Sequence, residues 1–403
     1  MTHKQSAREL LSAAAVRDAA RRMLRHAREE RLIDWTVDDA RLAPTADFVA
    51  RVIRERYPTL DVPFHARWRH FVFSGRDLWR EIESTHSWPD TAARARAAFD
   101  LAITSVLLDA GAGPGWRYRD ALTGIEAARS EGLALASLRW FAAGGMSEAA
   151  DDALRADAHS LKKLDASALH AAFQVDATNP LAGAEGRAQL LNRLGAAAES
   201  RPDLFATADV PRPGGLFDAL VARAVNRSLP ASMILDVLLD ALGPIWRNRP
   251  ALEGVSLGDC WPHPQGGFVP LHKLSQWLAY SLIEPLQAAG IAVHDIDGLT
   301  GLAEYRNGGL FLDMGALVPR DADAMTATHQ VSDPFVVGWR SLTVALLDEL
   351  APLVRSRLGV SDEAFPLAKL LEGGTWAAGR VIARERRADG GPPLRIVSDG
   401  TVF

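Results

Sequence analysis

The last third of the chain places an acid, a phenol, a guanidinium and an amide in four consecutive positions. These residues are Glu304, Tyr305, Arg306 and Asn307, and a second acid, Asp313, follows in apolar and glycine-rich surroundings. A carboxyl group near an apolar wall has a raised pKa and is then suited to general acid or base catalysis. The segment therefore predicts a pocket in which Glu304 or Asp313 is the working carboxylate. The structural alternative is a polar turn entering a strand, with Glu304 and Arg306 solvated.

A predicted helix upstream of this segment, residues 271–287, carries a polar and aromatic stripe besides its leucine face. The stripe contains His272 and Gln276, with Lys273 and Trp277 beside them. Solvated helix faces favour Lys, Glu and Arg over His, Gln and Trp. The stripe therefore predicts one wall of a ligand pocket, and packing at the edge of the core is the alternative.

A third group of candidate residues follows the predicted helix 91–109. Asp109 lies at the C-terminal end of that helix, where a negative charge is disfavoured, so a nearby arginine or a ligand is expected to hold it. Trp116 and Arg117 follow a glycine- and proline-containing break. A related string returns at 237–249 and indicates one helix–loop unit used twice. The alternative is that each loop is an Asp–Arg lock that only stabilises the fold.

Composition excludes several classes of protein. The chain has 403 residues, is 48% hydrophobic and carries a formal net charge of −5, so it has no global electrostatic footprint for nucleic acid. Its one cysteine, Cys260, leaves neither an intramolecular disulfide framework nor a cysteine-rich zinc site. No apolar run is long enough to span a membrane. The N-terminal arginines alternate with acids, unlike a transit peptide, so the expected location is the cytoplasm.

A common zinc-hydrolase motif is also missing. The sequence contains no H-E-x-x-H. A metal site built from dispersed residues is a minor alternative, and its candidate ligands are His294, Asp295, Asp297, Asp313, His329 and Asp333. Carboxylate chemistry remains the main expectation, because a carboxylate can stabilise an oxocarbenium-like state and orient water when a bond to ribose is cleaved.

The elements that must position these residues are mostly helices. Hydrophobic periodicity predicts a mainly α, multi-helix globular fold with a small β-hairpin at 394–403, centred on an Asp-Gly pair. The helix 335–357 has the clearest periodicity, and Asp333 before Pro334 is expected to be its cap. The other predicted helices are 6–31, 46–54, 124–141, a pair within 147–173, 187–198, 233–242 and 369–387.

Several long motifs resemble one family along essentially the whole chain. They are SVLLDAGAGPGWRYRDALTG, GFVPLHKLSQWLAYSLIEPL, GLAEYRNGGLFLDMGAL, SDPFVVGWRSLTVALLDEL, LEGGTWAAGR and PPLRIVSDGTVF. They resemble the uracil-catabolism protein four family of fungi and bacteria. The resemblance implies a place at the ribosylurea stage of a pathway that attaches ribose to uracil, opens the ring and releases urea.

A more distant similarity is to the queuosine-salvage N-glycosylases. Residues 272–276 are similar to their Tyr-Lys-Arg-Ala-Gln helix, and residues 304–306 to their Asp-Tyr-Arg segment, with Glu in place of Asp. The similarity implies a helical fold related to the DNA glycosylases. The family's catalytic acid falls near Ser281 here, so the acid is expected elsewhere, at Glu304, Asp313 or Glu284.

Together, the residues and the resemblances predict a single large helical domain, 1–403, possessing two related lobes, 1–200 and 201–403, around one pocket. We expect hydrolysis of the N-glycosidic bond of a 5′-phosphorylated ribosylurea-type substrate, with release of urea and without metal or cofactor. Partners other than this small molecule, such as nucleic acid or membrane, are not expected. The alternatives are a metal-dependent amidohydrolase acting on a ureido intermediate and a non-enzymatic helical scaffold of the pathway.

Each candidate residue has an expected role in that pocket. Glu304 or Asp313 would orient water and stabilise the ribosyl cation. The residues expected to bind phosphate or ribose hydroxyls are Arg306, His272 and Lys273. Those expected to pack on the substrate or to support the pocket are Tyr305, Trp277, Trp116, Asn307, Gln276, Asp109 and Arg117.

Overall fold

The computed structural model describes residues 6–208 and 210–397 and confirms a mainly α fold. In chain order the helices are α1 (Ala7–Leu10), α2 (Ala13–Arg28), α3 (Leu42–Arg56), α4 (Leu78–Thr85), α5 (Thr91–Leu107), α6 (Arg129–Ala142), α7 (Ala158–Lys163), α8 (Ala166–Ala172), α9 (Ala184–Ser200), α10 (Pro202–Phe205), α11 (Gly215–Val221), α12 (Ala231–Leu242), α13 (Lys273–Ala288), α14 (Tyr305–Asp313), α15 (Pro334–Leu358), α16 (Leu367–Lys369) and α17 (Trp376–Arg386). A π-helical turn, Leu370–Thr375, joins α16 to α17.

The strands are short and form two-stranded sheets throughout the described part of the chain. They are β1 (Trp35–Val37), β2 (Val72–Phe73), β3 (Arg76–Asp77), β4 (Tyr118–Arg119), β5 (Glu126–Ala127), β6 (Ser228–Pro230), β7 (Ala251–Leu252), β8 (Val255–Ser256), β9 (Cys260–His263), β10 (Gly267–Pro270), β11 (Ala292–His294), β12 (Leu317–Pro319), β13 (Thr328–Gln330) and β14 (Arg395–Val397). The β6–β11 and β13–β14 pairs are parallel. The pairs β1–β12, β2–β3, β4–β5, β7–β8 and β9–β10 are antiparallel.

The chain divides into two compact units built from interleaved segments. Among the described residues, unit 1 comprises 6–65, 249–276 and 295–397, and unit 2 comprises 66–208, 210–248 and 277–294. Each of the two related strings contains a helix that ends near an acid, Asp109 or Asp240. Both of these helix ends lie in the same unit, unit 2.

Unit 1 is centred on α15, the helix with the clearest periodicity in the sequence. Its apolar side chains, including Trp339 and Leu346, are buried, and α2 and α3 pack along it. Trp35 stacks on Phe335 with ring centroids 4.3 Å apart and donates its indole N–H to the Phe335 carbonyl at 2.8 Å. At the outer side of the helix, Arg17 of α2 binds Asp348 at 2.7 Å.

Unit 2 is centred on α5, which is buried over most of its length. Phe99 of α5 meets Phe217 of α11 edge to face, with centroids 5.7 Å apart. The buried guanidinium of Arg187 in α9 donates to the carbonyls of Leu108 (3.0 Å) and Gly111 (3.1 Å), just beyond the end of α5. A cation is favourable there because it faces the negative end of the helix dipole.

Three local predictions differ from the structure. The polar-turn alternative for Glu304 is wrong, because the chain enters helix α14 and not a strand. The helix predicted over 6–31 is interrupted at Leu11, and Ser12 caps the second part by accepting the Ala15 N–H at 3.1 Å. Of the predicted hairpin 394–403, strand β14 pairs in parallel with β13, and residues 398–403 lie outside the described part of the chain.

None of the helices in the described ranges is both long enough and apolar enough to cross a lipid bilayer.

Asp100 of α5 makes the stability of unit 2 depend on pH. Burial raises its pKa to about 7, against the opposing effects of Arg212 and of the Gly214 and Ala156 N–H groups. A folded pKa above the unfolded value means that the stabilising contribution is complete below pH ~4 and is lost as pH rises through ~7. We expect the unfolding free energy of the wild type to fall over this range.

Asp100→Asn should flatten that pH dependence, because the side chain no longer titrates. The measurement is the urea midpoint from pH 5 to 8, with slopes of up to ~1.4 kcal/mol per pH unit attributable to one group. The control is Asp240→Asn, at an exposed carboxylate bound by Arg201 at 2.9 Å. Equal slopes for the wild type and the Asp100 variant would contradict the assignment.

Candidate active site

Glu304 starts helix α14 and is buried, with 7% of its surface exposed. Its two carboxyl oxygens accept the backbone N–H groups of Asn307 at 2.5 Å and Arg306 at 2.7 Å. Ser, Thr, Asp and Asn are the residues usually found at this capping position. A glutamate that caps with a longer side chain is therefore unusual and points to a second role for the carboxyl group.

The burial of Glu304 favours the protonated form of its carboxyl group. Burial raises the pKa of its carboxyl group, and the two backbone N–H groups, the charge of Lys273 and a protonated His65 imidazole oppose that rise. No arginine of the described chain pairs with this carboxyl group. A buried carboxyl group with a raised pKa and nearby cations is the kind of group that exchanges protons near neutral pH.

His65 brings a second buried acid to this region. Its Nδ1 lies 2.6 Å from Oε2 of Glu372, and the two residues are only 4% and 7% exposed. Glu372 lies in the π-helical turn Leu370–Thr375, a geometry that occurs frequently at functional sites. The ring of Trp376 is 5.6 Å from the imidazole. The structure thus assembles a group of two acids, one imidazole and one lysine, referred to below as the Glu304 cluster: Glu304, Lys273, His65 and Glu372.

A buried ion pair positions the starts of α13 and α14, which carry Lys273 and Glu304. Arg340 of α15 donates through both terminal nitrogens to Asp259, at 2.7 Å each. Asp259 accepts the backbone N–H of Lys273 at 3.1 Å, at the start of α13. Arg340 also donates through Nε to the carbonyl of Ala303 at 3.1 Å, directly before Glu304. Burial alone would raise the pKa of Asp259, but the charge and hydrogen bonds of Arg340 hold it well below its usual range.

Buried amide side chains fix the loop that leads into α14. Gln276 donates from Nε2 to the Thr300 hydroxyl at 2.7 Å, and its Oε1 accepts the Thr300 N–H at 3.3 Å. Asn307 donates from Nδ2 to the Leu302 carbonyl at 3.1 Å. Both amides were expected to bind substrate, and the structure shows their side chains holding the backbone at Thr300 and Leu302, just before Ala303.

His272 and Arg306 are also bound to the protein backbone. His272 has a φ of +46°, and its Nε2 lies 2.9 Å from the carbonyl of Leu10. Burial lowers the pKa of this histidine, so its ring is neutral near pH 7. Arg306 donates to the Gly390 carbonyl at 2.8 Å, with its guanidinium 4.9 Å from the centre of the Tyr305 ring.

Asp313 lies at the opposite end of α14 from Glu304. The nine-residue helix separates the two acids by roughly 13 Å at 1.5 Å per residue. Arg387 binds both oxygens of Asp313, at 2.7 and 2.6 Å. The two acids singled out in the sequence are therefore not brought together. The second acid of the Glu304 region is Glu372, which contacts His65.

The remaining candidates lie in unit 2. Asp109 pairs with the buried guanidinium of Arg67 at 3.0 Å, and that guanidinium is 5.6 Å from the centre of the Trp277 ring. Trp116 is fully buried and donates its indole N–H to the Phe173 carbonyl at 3.0 Å. Arg117 is exposed and donates to the carbonyls of its own loop. The Asp–Arg pair predicted here exists, but its arginine comes from a distant segment.

The dispersed acids and histidines do not form a metal-binding group. No three His, Cys, Asp or Glu side chains within residues 6–208 and 210–397 are arranged to hold a metal ion. Asp297 binds Arg355 at 2.5 Å and the Leu367 N–H at 2.6 Å. Asp333 begins α15 but uses its side chain to accept the Gln330 N–H at 2.7 Å.

Two members of the Glu304 cluster were missed as site residues, although the sequence held a signal for both. His65 lies in a stretch dense in aromatic and basic residues, and Glu372 precedes a Gly-Gly pair, as Asn307 does. The glycines allow the π-helical turn to approach α3 closely. A methyl group at Gly373 would lie 2.9 Å from Val62, just beyond α3, and one at Gly374 would lie 2.9 Å from Val49 within it.

Comparison with known proteins identifies the family of this chain. The family model described as "Protein of unknown function (DUF1688)" matches residues 9–403. The chain belongs to the DUF1688 family. Similar proteins include Protein urg3 of Schizosaccharomyces pombe, 39% identical over 98% of both chains. Uracil catabolism protein 4 of Lachancea kluyveri is 35% identical over 90% of this chain and 91% of its own length. The family expected from the sequence motifs is confirmed.

The Asp259–Arg340 pair makes a specific stability prediction. Asp259→Asn would leave the guanidinium of Arg340, which is 1% exposed, without its counter-charge. Breaking a buried pair from one side costs ~3–5 kcal/mol, measurable from the urea unfolding midpoint. Because the pKa of Asp259 is lowered on folding, this contribution is present above pH ~4 and is lost as pH falls further.

The matched control for this prediction is Asp313→Asn. Its partner Arg387 is 26% exposed and remains hydrated, so the expected loss is ~1 kcal/mol or less. Equal losses of unfolding free energy for the two variants would show that the Asp259–Arg340 pair contributes no more to stability than the Asp313–Arg387 pair.

Proposed function

We propose that this DUF1688 protein hydrolyses the N-glycosidic bond of a 5′-phosphorylated ribosylurea-type substrate in uracil catabolism and releases urea. The observation that carries the proposal is the Glu304 cluster, in which a buried carboxyl group of raised pKa lies near a lysine and an imidazole–carboxylate pair. The name of the Lachancea kluyveri relative supports the pathway. The ribosylurea stage comes from the motif resemblance.

In the proposed reaction Glu304 acts as the general acid. Its raised pKa keeps a proton available for the ureido nitrogen as the bond from that nitrogen to C1′ of the ribose breaks. The oxocarbenium-like state that results is attacked at C1′ by water. His65 takes the proton released by that water, and solvent exchange returns both groups to their starting states.

Glu372 orients the imidazole for this step. Its 2.6 Å contact with Nδ1 of His65 holds the ring in one orientation and stabilises the positive charge that the ring gains. The same arrangement of a carboxylate behind a catalytic histidine operates in serine hydrolases. The Lys273 ammonium supplies a positive charge suited to the 5′-phosphate.

The decisive experiment supplies purified protein with ribosylurea or phosphoribosylurea and measures urea. We expect urea from the wild type and a kcat lower by ~10²–10⁴-fold for Glu304→Gln, because the amide cannot donate the proton. Wild-type kcat/KM should decline as pH rises through the raised pKa of Glu304, and the residual rate of the variant should lack that decline.

Asp313→Asn is the matched control, since it removes a carboxylate from the far end of the same helix. It should retain the wild-type kcat within a few-fold. Absence of urea release from either substrate, with or without added divalent metal, would overturn the proposal. Equal losses of kcat for Glu304→Gln and Asp313→Asn would show that Glu304 is not the general acid.

Glu372→Gln tests the positioning role of the second acid. We expect kcat to fall by on the order of 10²-fold with KM little changed, because the imidazole loses its orienting charge and not a substrate contact. His65→Gln in the same assay should lower kcat at least as much. A double variant no slower than His65→Gln alone would show that Glu372 acts through His65, whereas multiplied losses would contradict this.

A further inference from the structure

A second candidate binding site lies in unit 2 and shares no residue with the Glu304 cluster. It is a cleft of about 210 Å³ lined by α4, α5, the C-terminal part of α13 and the segment around Trp68. This volume is below the ~300–1,000 Å³ typical of pockets for drug-sized ligands, so a compact ligand is indicated. The ligand class follows from the polar atoms along the walls.

The acids of the cleft are already bound by protein groups. Glu284 accepts two hydrogen bonds from Nη2 of Arg69, at 2.8 and 2.9 Å. Glu83 is held by Arg94 through two bonds, at 2.9 and 2.7 Å. The side chain of Asp77 caps α4 by accepting the backbone N–H of Arg80 at 3.0 Å. Two of the three negative charges in the cleft are therefore paired with arginines, and the third lies at the N-terminal, positive end of α4.

Several donors in the same cleft remain unused. The Nε atom of Arg69 is buried and has no hydrogen-bond acceptor. Within the described chain, no residue accepts a hydrogen bond from the exposed Arg80 guanidinium or from the Trp79 indole, and both residues line the cleft. Buried donors normally find partners, so the orphaned Nε of Arg69, with the donors of Arg80 and Trp79 in the same cleft, points to an acceptor-rich ligand.

The remaining lining is apolar and made of small side chains. Ala95 and Ala98 of α5 face the cleft, as do Ala288 of α13 and Ala289 beyond its end. The alanines leave the space that larger side chains would fill. Trp79 adds an indole that is almost fully buried and offers apolar contact area. A ligand with a compact apolar body beside its acceptor group matches this lining.

We propose that the cleft binds a small organic anion. Its carboxylate or phosphate group lies against Arg69 and Arg80, and its apolar body contacts Trp79 and the alanines. The guanidinium groups supply charge-assisted hydrogen bonds to the anion, and the alanine walls limit the size of the body. This site is independent of the proposed glycosidase reaction.

The test uses four matched probes with the full chain in isothermal titration calorimetry. Benzoate and phenyl phosphate carry an anionic group on a flat apolar body, benzyl alcohol lacks the charge, and inorganic phosphate lacks the body. We expect one or both organic anions to bind with millimolar or lower Kd, more tightly at 50 mM than at 500 mM salt. Benzyl alcohol and inorganic phosphate should bind at least about tenfold more weakly.

Two variants connect the binding to the cleft. Arg80→Gln should weaken the binding of the organic anions by about tenfold. Ala288→Phe should abolish their binding by filling the cleft. Both positions are exposed, so both variants should fold, as circular dichroism would check. The control is Arg76→Gln, at an arginine of the neighbouring strand β3 that binds Glu81 and does not line the cleft.

Two results would overturn the proposal. One is the absence of heat for both organic anions up to 10 mM. The other is binding by the Arg80 and Ala288 variants that matches the wild type.

Discussion

The buried pair of Asp259 and Arg340 is the interaction on which the candidate active site depends. One carboxylate and one guanidinium join β9, α13, α15 and the entrance to α14 through four hydrogen bonds. Taking two charges out of water is costly, and only excellent geometry with further hydrogen bonds offsets that cost. Here the further bonds go to the backbone on each side of the Glu304 cluster. The pair thereby stabilises the fold and also fixes the backbone at Lys273 and directly before Glu304.

The contrast among the acids of unit 1 explains which of them suits chemistry. Asp259 and Asp313 are each bound by an arginine through two hydrogen bonds, and for Asp259 this arrangement favours the ionised form. Glu304 is equally buried but receives only backbone N–H groups directly, so its pKa is raised. Proton transfer near neutral pH needs a group whose two protonation states are close in energy. The absence of an arginine at Glu304, within the described chain, is therefore as informative as the presence of the carboxyl group.

Close packing by glycine is the second constraint on the site. A methyl group at Gly308 of α14 would lie 2.6 Å from the Trp339 ring, and one at Gly379 of α17 would collide with the carbonyl of Arg306. Gly379 brings the backbones of α17 and α14 together, and Gly308, Gly373 and Gly374 let side chains of neighbouring elements pack directly on the backbone. Side chains on neighbouring elements then meet at hydrogen-bond distances, as His65 and Glu372 do. Such cores tolerate added volume poorly.

The sequence alone was sufficient to predict the features that depend on residues close together in the chain. Periodicity predicted α15 and most other helices, the motifs identified the family, and the Glu304–Asn307 segment marked the start of α14 as unusual. Only the tertiary structure showed which side chains meet. His65 and Glu372 are 307 positions apart, and Asp109 pairs with Arg67 and not with an arginine of its own loop. Helical periodicity reports which face of a segment is buried, but it contains no information about the distant residue that packs on that face. Only the tertiary structure showed that Arg387 binds Asp313, whereas backbone N–H groups bind Glu304.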